Sequence, residues 1–244
     1  MDQCVLRGGE KYIDHASIIS IFCTTNINKQ VTLMLMNKQS RANEVVKRLK
    51  EIYPDAKCAL DFGSPFELLI ATILSAQCTD ARVNMVTPGL FAKYKSPKSF
   101  ADAPLEEIEK EIFSTGFYRQ KAKNIKSCCA IIVDEHSGEV PSDFDILKEL
   151  PGVGRKTASV VVGNAYGQPA IAVDTHVKRL SNLLGLVETQ DPDKIEARLK
   201  ELISPEDWVV FSHQLATHGR NICNAKQPDC FRCVLNDICP GAKL

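Results

Sequence analysis

The sequence predicts an all-α protein, and three observations carry that reading. Apolar residues recur at three- and four-residue spacing through most of the chain, which is the helical period. Ser-Pro, Asp-Pro and Pro-Gly pairs punctuate those segments where helices would start and stop. Strand signals are few, with one short extended stretch at residues 169–173.

The elements run in this order. A helix over residues 40–53 sets Val45, Val46, Leu49 and Ile52 on one face, with Arg41, Glu44, Lys47, Arg48, Lys50 and Glu51 exposed, and Pro54 ends it. Ser64 as N-cap, Pro65 in the first turn and Glu67 behind it open a helix over 66–77. Helices are predicted over 79–94, interrupted at Pro88-Gly89, over 105–113 after Ala103-Pro104, and over 119–135. Two more, 142–150 and 155–165, flank Pro151-Gly152-Val153-Gly154. Asp174 opens 175–184, Asp191-Pro192 opens a helix to Leu202, and Pro205 opens one to about Gly219. Residues 1–35 show no period; they are expected to be a disordered leader outside the working protein, with Met36 as an alternative start.

Composition sets the outer limits. A chain of 244 residues can bury a core without staples. With 44% hydrophobic and 25% charged residues it is neither disordered nor collagen-like. Lys+Arg and Asp+Glu are 30 each, which excludes a uniformly basic protein but not one with a basic face. No apolar run reaches the roughly 18–20 residues of a membrane span, and no secretory signal is recognised, so the cytoplasm is the expected location, the nucleoid if the source is bacterial.

Of ten cysteines, Cys4, Cys23, Cys58, Cys78, Cys128 and Cys129 follow no pattern and read as reduced thiols. The other four form Cys223-x6-Cys230-x2-Cys233-x5-Cys239 near the end of the chain. Four thiolates suit a structural zinc or a cubane iron–sulfur cluster. Zinc usually pairs its ligands through two short spacings, and only one is present here.

Two further constellations carry chemistry. In Leu150-Pro151-Gly152-Val153-Gly154-Arg155-Lys156-Thr157-Ala158 one helix runs through a glycine turn into another, whose free N–H groups and dipole suit a phosphate; a plain helix connector is the alternative. Lys156 sits beside Arg155 at a helix start, a poor place for a cation and so a candidate nucleophile, or else a lysine that touches a phosphate. Asp174 reads as an N-cap, which would also fix its carboxylate for chemistry. Gln77 and the turn Thr115-Gly116-Phe117-Tyr118-Arg119 offer candidate wedges for a DNA stack, or a helix-end polar residue and a core aromatic. Arg119, Lys121, Lys123 and Lys126 form a basic stripe or a solvated face.

The hairpin resembles the helix–hairpin–helix motif of the endonuclease III family of DNA glycosylases. Ser64-Pro65-Phe66-Glu67-Leu68-Leu69, Leu74-Ser75-Ala76-Gln77-Cys78-Thr79-Asp80, Ala172-Val173-Asp174-Thr175-His176 and the terminal cysteines are similar to that family's signatures, in order, over about residues 36–240. The resemblance implies two helical lobes with the DNA groove between them: residues 36–57 and 169–244 as a cluster lobe, and 58–168 as a six-helix lobe. It implies a bifunctional glycosylase and AP lyase of base excision repair, acting as a monomer on oxidised pyrimidines or abasic sites in duplex DNA. Lys156 would attack C1′, Asp174 would assist, and β-elimination would nick the strand. The spacing of Cys223, Cys230, Cys233 and Cys239 matches the family's [4Fe–4S] pattern. DNA contacts are expected from Gln77, Phe117, Tyr118, Arg119, Lys121, Gly152, Val153, Gly154, Arg155 and His176; the family often has Leu where Phe117 stands. An adenine glycosylase of the same superfamily, a non-catalytic DNA-binding module and a cluster-bearing redox protein remain as alternatives.

Overall fold

The computed structural model describes residues 36–243, so the expectation for residues 1–35 lies outside the described residues. Among the described residues there are helices and turns and no strand; residues 169–173 run between helices without pairing. No helix among them is long and apolar enough to cross a membrane.

The helices are α1 (Lys38–Ile52), α2 (Pro65–Leu74), α3 (Asp80–Lys93), α4 (Pro97–Asp102), α5 (Leu105–Ile112), α6 (Tyr118–Glu135), α7 (Phe144–Glu149), α8 (Arg155–Ala165), α9 (Thr175–Leu183), α10 (Pro192–Leu202) and α11 (Trp208–Asn221). Short 3₁₀ turns lie at Phe113–Thr115 and Pro205–Asp207. Side chains close the helix starts as their sequences direct: Ser64 accepts from the Glu67 N–H, Asp174 from Val177, and Asp191 from Asp193 and Lys194. Asn37 caps α1, its side chain accepting the Ser40 N–H.

Two apolar cores organise these elements. In the first, α2 is buried on nearly all sides through Leu68, Leu69, Ile70, Ala71, Ile73 and Leu74, as expected of a helix apolar all round. It packs on α3, α6 and α8, while α4 and α5 cover α6. In the second core, Ala42, Val45, Val46 and Leu49 of α1 meet Val177 and Leu180 of α9, Ile195 and Leu199 of α10, and Phe211 and Leu215 of α11. Leu235 and Ile238, from the cysteine-rich segment, complete it. The Arg48 guanidinium donates to the Asp237 carboxylate at 2.6 Å, tying α1 to that segment.

Four local expectations are corrected. Pro88 lies inside a continuous α3; the missing N–H costs one bond within the helix. The helix α4 went unpredicted, although Ser96 builds a capping box and Pro97 occupies its first turn. Arg41 is buried, its guanidinium donating to the carbonyls of Gly185 and Met36. Pro205 opens a 3₁₀ turn, and α11 begins only at Trp208.

Candidate active site

The hairpin between α7 and α8 is built from its glycines. Gly152 has φ +79°, and a Cβ there would stand 2.9 Å from the Asn124 Cβ of α6. Only glycine fits both that conformation and that approach. Val153 is buried in the first core and its N–H donates to the Leu150 carbonyl at 3.0 Å. Its side chain therefore anchors the turn. Gly154 is the N-cap of α8, without a side-chain cap, and a Cβ at Gly154 would meet nothing within 4 Å. The first turn of α8 is left open to an anion.

Lys156, in that first turn, and Asp174, the N-cap of α9, line one pocket. Asp174 accepts the Val177 N–H at 2.7 Å, which fixes its carboxylate. Lys156 is exposed. Cys58, Asp80, His213 and Arg220 line the same pocket; sequence reasoning singled out none of them for the site. Arg220 of α11 pairs with Asp80 at the start of α3 at 2.9 Å. His213 of α11 shares a hydrogen bond with Asn164 of α8 at 2.7 Å, and burial lowers its pKa below the ordinary histidine value. Asp80 lay within a recognised motif, whereas His213 gave no signal beyond its presence on a helix.

The other expected DNA contacts divide. Gln77 and Phe117 are exposed and take positive φ, +52° and +49°. Tyr118 is half-buried, its ring 4.8 Å from that of Phe113, and the Arg119 guanidinium lies 5.3 Å above it. The basic stripe breaks up: Lys121 is 4% exposed and donates to the carbonyls of Leu74 at 2.7 Å and Thr115 at 2.8 Å. Lys126 is spent on the carbonyls of Ala101 and Ala103. Lys121 is thus corrected from a surface contact to a buried tie, leaving Arg119 and Lys123 exposed.

Arg155 turns towards the second core, where its Nε donates to Glu196 of α10 at 2.6 Å and lies 3.4 Å from Asp193. Lys200 reaches the other Glu196 oxygen at 2.5 Å. Burial alone would raise the Glu196 pKa, but the hydrogen bonds from Arg155 and Lys200 outweigh it and hold the carboxylate below its ordinary value. Much of the positive charge expected from Arg155 is therefore neutralised. His176 does not line the pocket; it is half-buried between α9 and α11, where a Cβ on Gly219 would come within 2.6 Å of its Nδ1. Burial lowers its pKa.

Cys223, Cys230, Cys233 and Cys239 face a common cavity of about 190 Å³. Among the described residues no group of three or more such donors is drawn together tightly enough for a single metal ion. Four cysteine sulfurs lining one cavity are the donor set of a thiolate-held metal group. The N–H of Leu235 donates to the Cys233 sulfur at 3.4 Å, the N–H of Lys243 to Cys230 at 3.4 Å, and the Arg179 guanidinium to Cys223 at 3.6 Å.

Comparison with known proteins adds the family. The family described as "HhH-GPD superfamily base excision DNA repair protein" matches residues 70–205. Endonuclease III of Synechocystis sp. is 50% identical over 210 residues, covering 86% of this chain and 96% of the relative. Endonuclease III of Bacillus subtilis is 49% identical over 193 residues, covering 79% and 88%. A solved trapped endonuclease III–DNA covalent intermediate superimposes with a TM-score of 0.82 at 47% identity, covering 85% of this chain and 98% of that one. A non-covalent endonuclease III–DNA complex gives 0.81 at 47% identity, covering 85% and 97%. With the helix–hairpin–helix turn opening beside a lysine and an aspartate, the chain belongs to the endonuclease III family of HhH-GPD base excision DNA repair proteins.

Proposed function

We propose that this chain is a bifunctional DNA glycosylase and AP lyase, acting in the cytoplasm as a monomer on oxidised pyrimidines or abasic sites in duplex DNA. One observation carries this reading: Lys156 and Asp174, each at the start of a helix, open onto the same pocket. The capture of a related endonuclease III as a covalent intermediate with DNA supports it. The lobes of the enzyme are residues 58–168, and 36–57 with 169–244, and the pocket residues come from both.

The damaged nucleotide must leave the stack before an amine can reach its sugar. The neutral Lys156 amine forms a bond to C1′ as the C1′–base bond breaks, and the base departs with the electron pair and takes up a proton. Asp174, held by its cap bond, stabilises the positive charge that develops on the sugar. Ring opening gives an imine between Lys156 and C1′. Loss of a C2′ proton then expels the 3′ phosphate, nicking the strand. The open end of α8, with Gly152 and Gly154, holds the DNA backbone; Gln77 and Phe117 fill the space that the flipped nucleotide leaves.

Cys223, Cys230, Cys233 and Cys239 would hold a [4Fe–4S] cluster. When bound, the cluster supplies a cross-link that orders the segment around it.

The test uses duplexes carrying thymine glycol, an abasic site or an A·8-oxoguanine mismatch, with borohydride trapping. The wild type should be trapped on the first two. Lys156→Gln should yield no covalent adduct, and Asp174→Asn should slow base release by about 10²–10⁴-fold. A wild type that binds abasic DNA without trapping or cutting it would leave only a binding module.

A further inference from the structure

The buried lysine of α6 has no part in the chemistry above, yet it joins the two loops that face the DNA. Lys121 is 4% exposed, and burial pulls its pKa down from the ordinary lysine value. Burying a cation is costly unless its donors are used. Here its Nζ donates to the carbonyl of Leu74 at 2.7 Å and that of Thr115 at 2.8 Å. These are helix-end carbonyls: Leu74 is the last residue of α2, and Thr115 the last of the 3₁₀ turn before α6. Such groups lack partners within their helices, and a charge-assisted bond is about twice as strong as a neutral one.

Each of the two carbonyls leads directly into a candidate wedge. Three residues after Leu74 comes Gln77, and two after Thr115 comes Phe117. Both are exposed non-glycine residues with positive φ, which among the described residues is otherwise found only at Ser137 outside the glycines. A strained backbone persists where its surroundings over-determine it. Phe117 is the N-cap of α6, and its carbonyl accepts the first bond of that helix, from the Lys121 N–H at 3.1 Å, so the second loop runs straight into the helix that carries the lysine.

We infer that Lys121 is a positioning residue which locks the Gln77 and Phe117 loops to one another, so that both side chains enter the base stack as a rigid pair. The inference rests on the reading of Gln77 and Phe117 as gap-filling residues. It gives Lys121 a role confined to the opening of a duplex. On a single strand there is no stack to open, and Lys156 should meet the sugar without help from the loops.

Lys121→Met keeps the aliphatic stem and removes every donor; Lys121→Gln keeps one amide donor and serves should the first variant fold poorly. Trapping rates are read on an abasic site in duplex and in single-stranded DNA, with 2-aminopurine opposite the lesion reporting stack opening. Lys121→Met should slow duplex trapping about tenfold and reduce the 2-aminopurine signal, while single-strand trapping stays within about twofold of wild type. Gln77→Ala and Phe117→Ala are run alongside. If these two slow the duplex step and the Lys121 variants do not, the positioning role is refuted and the gap-filling reading stands. If neither set slows it, the gap-filling reading fails and takes the inference with it. An equal loss on duplex and single strand would mark Lys121 as a general structural residue and would also refute the inference.

Discussion

At Gly152 the chain meets two demands at once, a left-handed backbone and a close approach to Asn124. Gly152→Ala should cost about 2 kcal/mol, of which the positive φ accounts for roughly 1–2. Thermal unfolding should record that loss, and fluorescence anisotropy with abasic duplex should record weaker binding, because the turn presents the open end of α8. Gly152, Lys156 and Asp174 were legible from sequence because local rules act on each: a turn that needs glycine, a cation at a helix start, a cap. The partners of Lys121, Val153 and Arg155 were not legible, for the opposite reason. Their surroundings come from Leu74 and Thr115, from the first core, and from Glu196, and no local pattern encodes those neighbours.

Among elements, the contact of α8 with α10 is sensitive to pH. Glu196 is 3% exposed and lies between Arg155 and Lys200. Its folded pKa is below the ordinary carboxylate value, so its contribution to stability is complete above about pH 4.5 and is lost as the pH falls through the folded value. Glu196→Gln should cost about 2 kcal/mol at neutral pH, less than a fully buried pair because both cations keep partial contact with water. The difference in melting temperature between variant and wild type should shrink as the pH is lowered from 6 to 3. A constant difference would mean that the network is not ionic. Helix positions were mostly legible, since capping residues and the apolar period act within a few residues. The short α4 was overlooked because its six residues hold too little periodicity to register, although Ser96-Pro97 marks its start.

For the whole molecule, the cysteine cavity and the charge balance give two expectations. With four thiolates around an oxidised cluster core of about +2, the holoprotein would carry a net charge near −2. Such a protein holds DNA through a local positive face, so its duplex affinity should fall steeply with salt, with a log–log slope near −0.9 for each phosphate neutralised. A flat dependence would exclude a phosphate-binding hairpin. Cys230→Ser should abolish bound iron by elemental analysis. A loss of about 3 kcal/mol with the cluster would lower the melting temperature by roughly 6–12 °C. The cysteine spacing was plain in the sequence; that Leu235 and Ile238 reach back to complete the core beneath α1 was not, because sequence shows which residues are apolar but not which distant ones meet.

That last packing has a consequence for synthesis. The helix α1 is the earliest described element to leave the ribosome, but its apolar face is covered by residues between Ile171 and Ile238, and Arg48 finds Asp237 only after 189 further residues have been made. The first core, closed by Ala170, can be complete while α1 still waits without a partner. The nascent chain must keep Val45, Val46 and Leu49 out of trouble until those partners emerge, at about 5–20 residues per second. A chaperone that samples emerging apolar segments should therefore bind α1 early and release it only once the cysteine-rich segment has emerged, which ribosome-bound chains arrested before and after Ile238 would reveal by crosslinking.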